Sequence, residues 1–224
     1  MKWVDRLLLF LVFLLMLIAL YAAFIYAPTE KVMGTVQRIF YFHLASAWVA
    51  LLCFFLVFVG GAGYLWNKND SWDRFAHANA ELGVVFTTIV LFMGAIWAKP
   101  VWNTWWTWDP RLTSAFILWL IYIAYLLLRS SLRGHPGVRT YAAVYGIIGF
   151  VDVPIVYMSI HWWRTIHPKI FEGGKMNLDP VMWHSVLISF AAIMLLYIVL
   201  LRSRMQMELV HDRVLSLQET LEEQ

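Results

Sequence analysis

Six long apolar stretches decide what this chain can fold into. They run approximately Leu7 to Tyr26, Phe40 to Leu65, Leu82 to Trp97, Leu112 to Leu128, Tyr141 to Ile160 and Met182 to Leu201. A helix needs roughly 20 mainly apolar residues to cross the hydrocarbon of a bilayer, and only elements whose backbone groups pair internally survive there. The third and fourth stretches are shorter, at 16 and 17 residues, and flanking aromatics at the headgroup level extend them. With 62% apolar and 14% charged residues in 224, the chain lies outside the range of soluble globular domains. It reads as an all-α, polytopic membrane protein with six transmembrane helices. The first span follows Lys2 and Arg6, but its apolar run exceeds the ~7–15 residues of a signal-peptide core, so it reads as a retained helix.

Loop charges set the orientation. A cytoplasmic N-terminus puts ten of the 17 Lys and Arg residues on the inner side and seven outside: Lys31, Arg38, Lys99, Arg111, Arg164, Lys169 and Lys175. That is the direction of the positive-inside bias. The outer cations have two readings, as partners of lipid phosphates or as neutralisers of an anionic ligand held on that face. The outer surface then also receives a Trp-rich loop (98–112) between the third and fourth spans, His43 at the start of the second, HWWRTIHPK (161–169) after the fifth and His184 at the start of the sixth.

The Trp-rich loop holds Trp102, Trp105, Trp106 and Trp108 within seven positions, followed by Asp109 and Arg111. One reading is an interfacial aromatic belt. The other is a flat, partly polar shelf on which a planar, π-rich ligand stacks while indole N–H groups and Arg111 reach its polar edge. Outer-face histidines can supply axial nitrogens to an iron, and the ligand inferred is haem.

The run WNTWWTWDPRLT (102–113) resembles the signature of the WWD-domain haem-handling membrane proteins. The six-span length, RIFYFH (38–43) and PIVYMSIHWWRTIH (154–167) are similar to the haem exporter protein C family of cytochrome c maturation, with the likeness running from about Arg38 to Pro168. The resemblance implies that His43 and His167 ligate the iron of a transient, non-covalent haem b. It also implies that Trp102, Trp105, Trp106, Trp108 and Asp109 form the loop at the haem edge, with Arg38, Lys99, Arg111 and Arg164 available to the propionates. The implied role is presentation of haem on the periplasmic face of a bacterial inner membrane to a haem chaperone, without enzymatic activity. The implied partners are the ATPase and permease subunits of an ABC transporter complex and a small membrane subunit, with no nucleic acid. A structural permease subunit without haem and a b-type electron-transfer cytochrome are the alternatives.

Asn103 replaces the glycine of the signature, and because Asn tolerates φ > 0 better than most residues the loop is expected to survive. His184 and His161 compete with His167 as second ligand. Cys53 is the one cysteine and no C-x-x-C-H run exists, so haem held here is not attached through thioethers. No G-x-x-x-x-G-K-[ST] run is present, so ATP dependence belongs to another subunit. Asp152, two residues before Pro154 in GFVDVPIVY, is an intramembrane ionisable group: it bonds backbone freed by the proline, or it moves protons or gates ligand. The chain divides into a haem-handling domain (1–201) and a cytoplasmic amphipathic helix (202–224). Val210, Val214, Leu217 and Leu221 form an apolar stripe on that helix, to lie on the inner membrane surface or to dock a partner. The segments 66–81 and 129–140 read as inner connectors, and GGK (173–175) as a bend.

Overall fold

The structure, a computed structural model, describes residues 3–168, 171–172, 175–176 and 178–222. Lys2, Lys169 and the Gly173–Gly174 part of the expected bend lie outside the described residues. The elements are α1 (Trp3–Tyr21), α2 (Ile39–Asn67), α3 (Asp70–Trp102), α4 (Pro110–Ser131), α5 (Val138–Gly149), α6 (Asp152–Trp162), a two-residue pairing of β1 (Phe171–Glu172) with β2 (Lys175–Met176), and α7 (Pro180–Glu222). Among the described residues six helical stretches are long and apolar enough to cross a membrane, α5 and α6 together forming the fifth.

The third span begins much earlier than hydropathy indicates. Residues 70–81, read above as connector, are the first turns of α3. Asn69 caps them by accepting from the Ser71 N–H at 2.9 Å. Asp73, Ala76, Ala78, Asn79 and Ala80 are buried there, so the segment is polar on average but packed on one face. Gly60 of α2 permits the approach: a Cβ there would lie 2.9 Å from the Cβ of Ala76 and 3.1 Å from its backbone nitrogen.

The fifth span breaks where Pro154 predicts a bend. Proline has no N–H and its ring collides with the carbonyl four residues back, which is that of Phe150. Helix α5 ends at Gly149 and α6 starts at Asp152. Asp152 Oδ2 is buried at this break without a hydrogen-bond partner.

Helix α1 is mostly exposed and leans on α7. It ends in a π turn (Ala22–Tyr26), a distortion that frees carbonyls. Ser185 Oγ donates to the Ala22 carbonyl at 3.0 Å and the Arg38 guanidinium to the Phe24 carbonyl. Helix α2 is central, packed by α3, α5 and α7, and the Phe54 and Tyr122 rings stack between α2 and α4 with centroids 3.9 Å apart.

Chain reversal gathers the starts of α2, α4 and α7 and the ends of α1, α3 and α6 at one end of the bundle. The opposite end is tied by ion pairs. Arg129 donates to both carboxylate oxygens of buried Asp73, at 2.6 and 2.8 Å. Arg139 pairs with Asp70 and Arg74 with Asp212, at 2.8 and 2.9 Å. Arg204 bridges Glu81 and Glu208. Helix α7 runs without interruption through residue 202, so the boundary drawn there by composition coincides with no break in the backbone. Val210, Val214, Leu217 and Leu221 are exposed along its extension.

Candidate functional site

At the Trp-loop end a cavity of about 370 Å³ opens between α2, α3, α4, α6 and residues 166–168, a size within the ~300–1,000 Å³ of small-molecule sites. His43 reaches it from the first turns of α2. Its imidazole lies against the indole of Trp97, centroids 6.0 Å apart, and over Gly94, where a Cβ would come within 3.2 Å of its Cε1. A helix carrying any larger residue at 94 crowds the ring.

His167 arrives from the segment after α6, and Asp109 puts it there. The Asp109 carboxylate caps α4 by accepting from the Leu112 N–H at 2.9 Å, and Pro110 follows at the first helical position, where its missing N–H is harmless. The other carboxylate oxygen accepts from Thr165 Oγ1 at 2.8 Å and from the Ile166 N–H at 3.3 Å. The His167 N–H donates to Thr165 Oγ1 at 3.1 Å. One side chain thus fixes both the start of α4 and the loop that carries the second histidine. The His167 ring lies 6.3 Å from that of Trp102. Burial and the Arg111 guanidinium push its imidazole down to about 4, with Asp109 opposing, so the ring is neutral at pH 7 with a lone pair to offer.

The four tryptophans do not form one flat shelf. Trp102 is the last residue of α3, and the loop proper spans only 103–109, less than the 98–112 read from composition. Trp102 and Trp106 line the cavity, whereas Trp105 and Trp108 are 59% and 74% exposed. Asn103 turns the chain at the end of α3. It adopts φ 56°, ψ 22°, the left-handed conformation that asparagine tolerates, and Lys99 Nζ donates to its carbonyl and to its Oδ1. Thr104 Oγ1 then donates to the Trp106 carbonyl at 2.8 Å, closing the turn.

The remaining candidates separate. Arg111 lines the cavity while donating to the Val156 carbonyl, which ties α4 to α6. Arg38 lies outside the cavity's lining, held by α1. His184 is exposed and pairs with Tyr26, its Nδ1 3.2 Å from the phenol oxygen, and His161 is exposed beside Tyr157. Neither lines the cavity, and neither does Cys53, buried in the core. Arg164 is exposed.

Sequence reasoning missed Trp97, Gly94 and Thr165. Trp97 is fully buried between Phe40 and Trp102, with centroids 5.8 and 5.3 Å away. Its spacing of five from Trp102 was the available signal. Gly94 lies three residues before it in an otherwise bulky helix segment, IVLFMGAIW.

Chemically, the cavity offers aromatic faces to a planar apolar ligand, a cation in its wall and two imidazoles. Nδ1 of His43, Nδ1 of His167 and Nε1 of Trp106 are buried without partners. Buried polar atoms are nearly always satisfied, and these three leave hydrogen-bonding or ligating capacity open at the cavity.

The comparisons agree with that chemistry. A family model described as Heme exporter protein C matches residues 1–220. The chain is 31% identical over 207 residues to "Heme exporter protein C" of Bradyrhizobium diazoefficiens, covering 92% of this chain and 78% of that one. To the protein of the same name in Rhodobacter capsulatus it is 29% identical over 203 residues, 88% and 82% of the two chains. To that of Escherichia coli K12 it is 32% identical over 161 residues, 70% and 64%. With a match over nearly its whole length and six helices able to span a membrane, the chain belongs to the haem exporter protein C family of multi-pass membrane proteins.

Proposed function

We propose that this protein takes haem b, as cargo rather than resident cofactor, into the cavity between His43 and His167. There it presents the haem on the periplasmic side of a bacterial inner membrane to a haem chaperone for cytochrome c maturation. The observation that carries the reading is the pair of histidines on one aromatic cavity, each with a buried, unpartnered ring nitrogen. Haem iron supplies two axial positions that such nitrogens fill. Trp97, Trp102 and Trp106 provide faces for the ring, and Arg111, in the cavity wall, suits a propionate.

The residues also fit a haem that leaves. No thiol lines the cavity, so retention rests on ligation and packing. Exposed Trp105 and Trp108 beside the opening suit contact with a partner that takes the haem away. The ten inner and seven outer cations support the orientation. Family membership supports partnership with an ABC-type complex; the ATPase, permease and small membrane subunits are the partners proposed here, and they supply the ATP-driven step. The protein itself acts as a maturation component and not as an enzyme.

The test is the absorption spectrum of the purified, detergent-solubilised protein made with ample haem. A Soret band is expected for wild type and for His184→Ala, and a weakened or shifted band for His43→Ala and His167→Ala. No band in wild type, or a change confined to His184→Ala, overturns the reading.

A further inference from the structure

A second cavity, of about 450 Å³, opens at the Trp-loop end beside the first. Phe40, Trp97 and Pro168 line both, so the two share a partition, and neither His43 nor His167 lines the second. Its other lining residues come from the segment 28–33 after α1, from Gln37 just before α2 and from 178–182 at the start of α7.

The two cavities differ in charge. The first is lined by Arg111 and by no carboxylate, whereas the second is lined by Glu30 and Asp179 with Lys31 as its one cation. Both carboxylates are fixed by the backbone, each through one oxygen. Glu30 Oε2 accepts from the Val32 N–H at 2.7 Å and from the Met33 N–H, and the Gly34 N–H donates to the Glu30 carbonyl at 3.1 Å, closing the same turn. Asp179 Oδ1 accepts from the Val181 N–H at 2.8 Å at the start of α7. The other oxygen of each has no partner among the described residues, and Lys31, which is exposed, pairs with neither.

Gln37 supplies a third acceptor. It is 2% exposed, lines the cavity and has its Oε1 buried without a partner. A buried amide oxygen is nearly always satisfied, and leaving it unpaired is costly, so a donor placed in the cavity answers it. Met33, Phe40, Leu178 and Met182 add apolar surface around these three acceptors.

We infer that the second cavity is a binding site for an organic cation of the guanidinium type, its charged group held by Glu30 and Asp179 and one N–H donated to Gln37 Oε1. The excess of carboxylate over ammonium selects a cation. A bare metal ion would leave most of the volume and all of the apolar wall unused. A guanidinium presents several N–H donors in a planar fork and is weakly hydrated, which matches carboxylate and amide oxygens set among apolar side chains. The same chemistry comes from an arginine side chain of a protein docking at this end or from a free alkylguanidine. Pro168 directly follows His167, so a ligand in the second cavity touches the segment that carries that histidine. The inference does not depend on what the first cavity holds.

The test uses the full-length protein in detergent, titrated with butylguanidinium, with acetyl-arginine amide and with the uncharged butylurea, and read by saturation-transfer NMR. Saturable binding of a guanidinium is expected, the tighter of the two probes naming the free or the protein-borne source. Butylurea is expected to bind at least about tenfold more weakly, since it makes no charge-assisted hydrogen bond. Glu30→Gln combined with Asp179→Asn keeps both backbone acceptors and removes both charges, and is expected to weaken the guanidinium by a similar factor; Gln37→Leu is expected to weaken it several-fold. The onset of Cys53 labelling checks that each variant is folded. Hemin is expected to leave the guanidinium bound. Equal binding of butylurea to wild type, no saturable binding of either guanidinium, wild-type affinity in the double variant, or displacement by hemin overturns the site.

Discussion

The two ends of the bundle treat polar groups in opposite ways. At the end away from the Trp loop, Asp73, Asp70, Asp212, Glu81 and Glu208 each meet an arginine. At the Trp-loop end, polar atoms are buried and left over. Of the thirteen buried side-chain atoms without partners among the described residues, nine are there, on Gln37, Arg38, Tyr41, His43, Trp97, Trp106, Thr107, Thr113 and His167. An unmade hydrogen bond in a buried setting costs about 1–3 kcal/mol. Five of the nine, on His43, Trp97, Trp106, Thr107 and His167, belong to residues that line the His43–His167 cavity, so on the proposed function a ligand there recovers part of that cost, while the paired end supplies stability.

The contrast has consequences of graded size. The largest belongs to the paired end. Asp73→Ala leaves Arg129 buried without its partner, which costs about 3–5 kcal/mol. Cys53, the single cysteine and fully buried, reports it: thiol labelling in detergent is expected at a markedly lower temperature than in wild type. If haem is added under conditions where the variant is folded, its band should be unchanged. Loss of the band there would mean that the two ends are not separable.

Asp109→Ala is the next in size and should act the other way. It removes a helix cap, worth roughly 0.5–2 kcal/mol, and frees the loop that holds His167. Residues that orient metal ligands typically contribute about 10–100-fold in affinity, so haem retention on titration should fall by that order. An unchanged haem affinity would show that His167 does not depend on this anchor.

Gly94→Ala puts a methyl 3.2 Å from His43 Cε1. Overpacking of a tight site costs about 1–3 kcal/mol, and the expected readout is a shifted Soret maximum with the onset of Cys53 labelling close to that of wild type. The same band in the variant would mean that His43 has room the structure does not indicate.

The smallest effects belong to exposed groups. Arg139→Ala breaks a pair whose side chains are 38% and 46% exposed, and such pairs contribute about 0–1 kcal/mol. Trp105→Ala and Trp108→Ala are expected to leave haem binding nearly intact and to slow transfer to an added haem chaperone. Loss of the band in either would return both rings to the binding surface.

Much of this was legible in the chain. The six spans follow from hydropathy, and the family from WNTWWTWDPRLT and its neighbours. The αL conformation at Asn103 was foreseeable because few residues accept it, and the break before Pro154 because proline removes a donor. The first turns of α3 were not legible: a helix that buries Asp73 and Asn79 beside alanines has low average hydropathy, and only packing against α2 reveals its apolar side. Nor did residue type distinguish His167 from His161 and His184, since all three are histidines near the same surface.

The sequence by itself determined the number of membrane-spanning helices, the chemical inventory of indoles and imidazoles, and membership of the family, because these depend on residue type and on local spacing. The tertiary structure decided which indoles turn inward, which two histidines share a cavity, that Asp109 holds the loop after α6, and that Trp119 of α4 bonds Thr88 of α3. Those properties depend on how distant segments meet, such as residue 109 with 165 and residue 88 with 119. Nothing local to either segment encodes the distance between them.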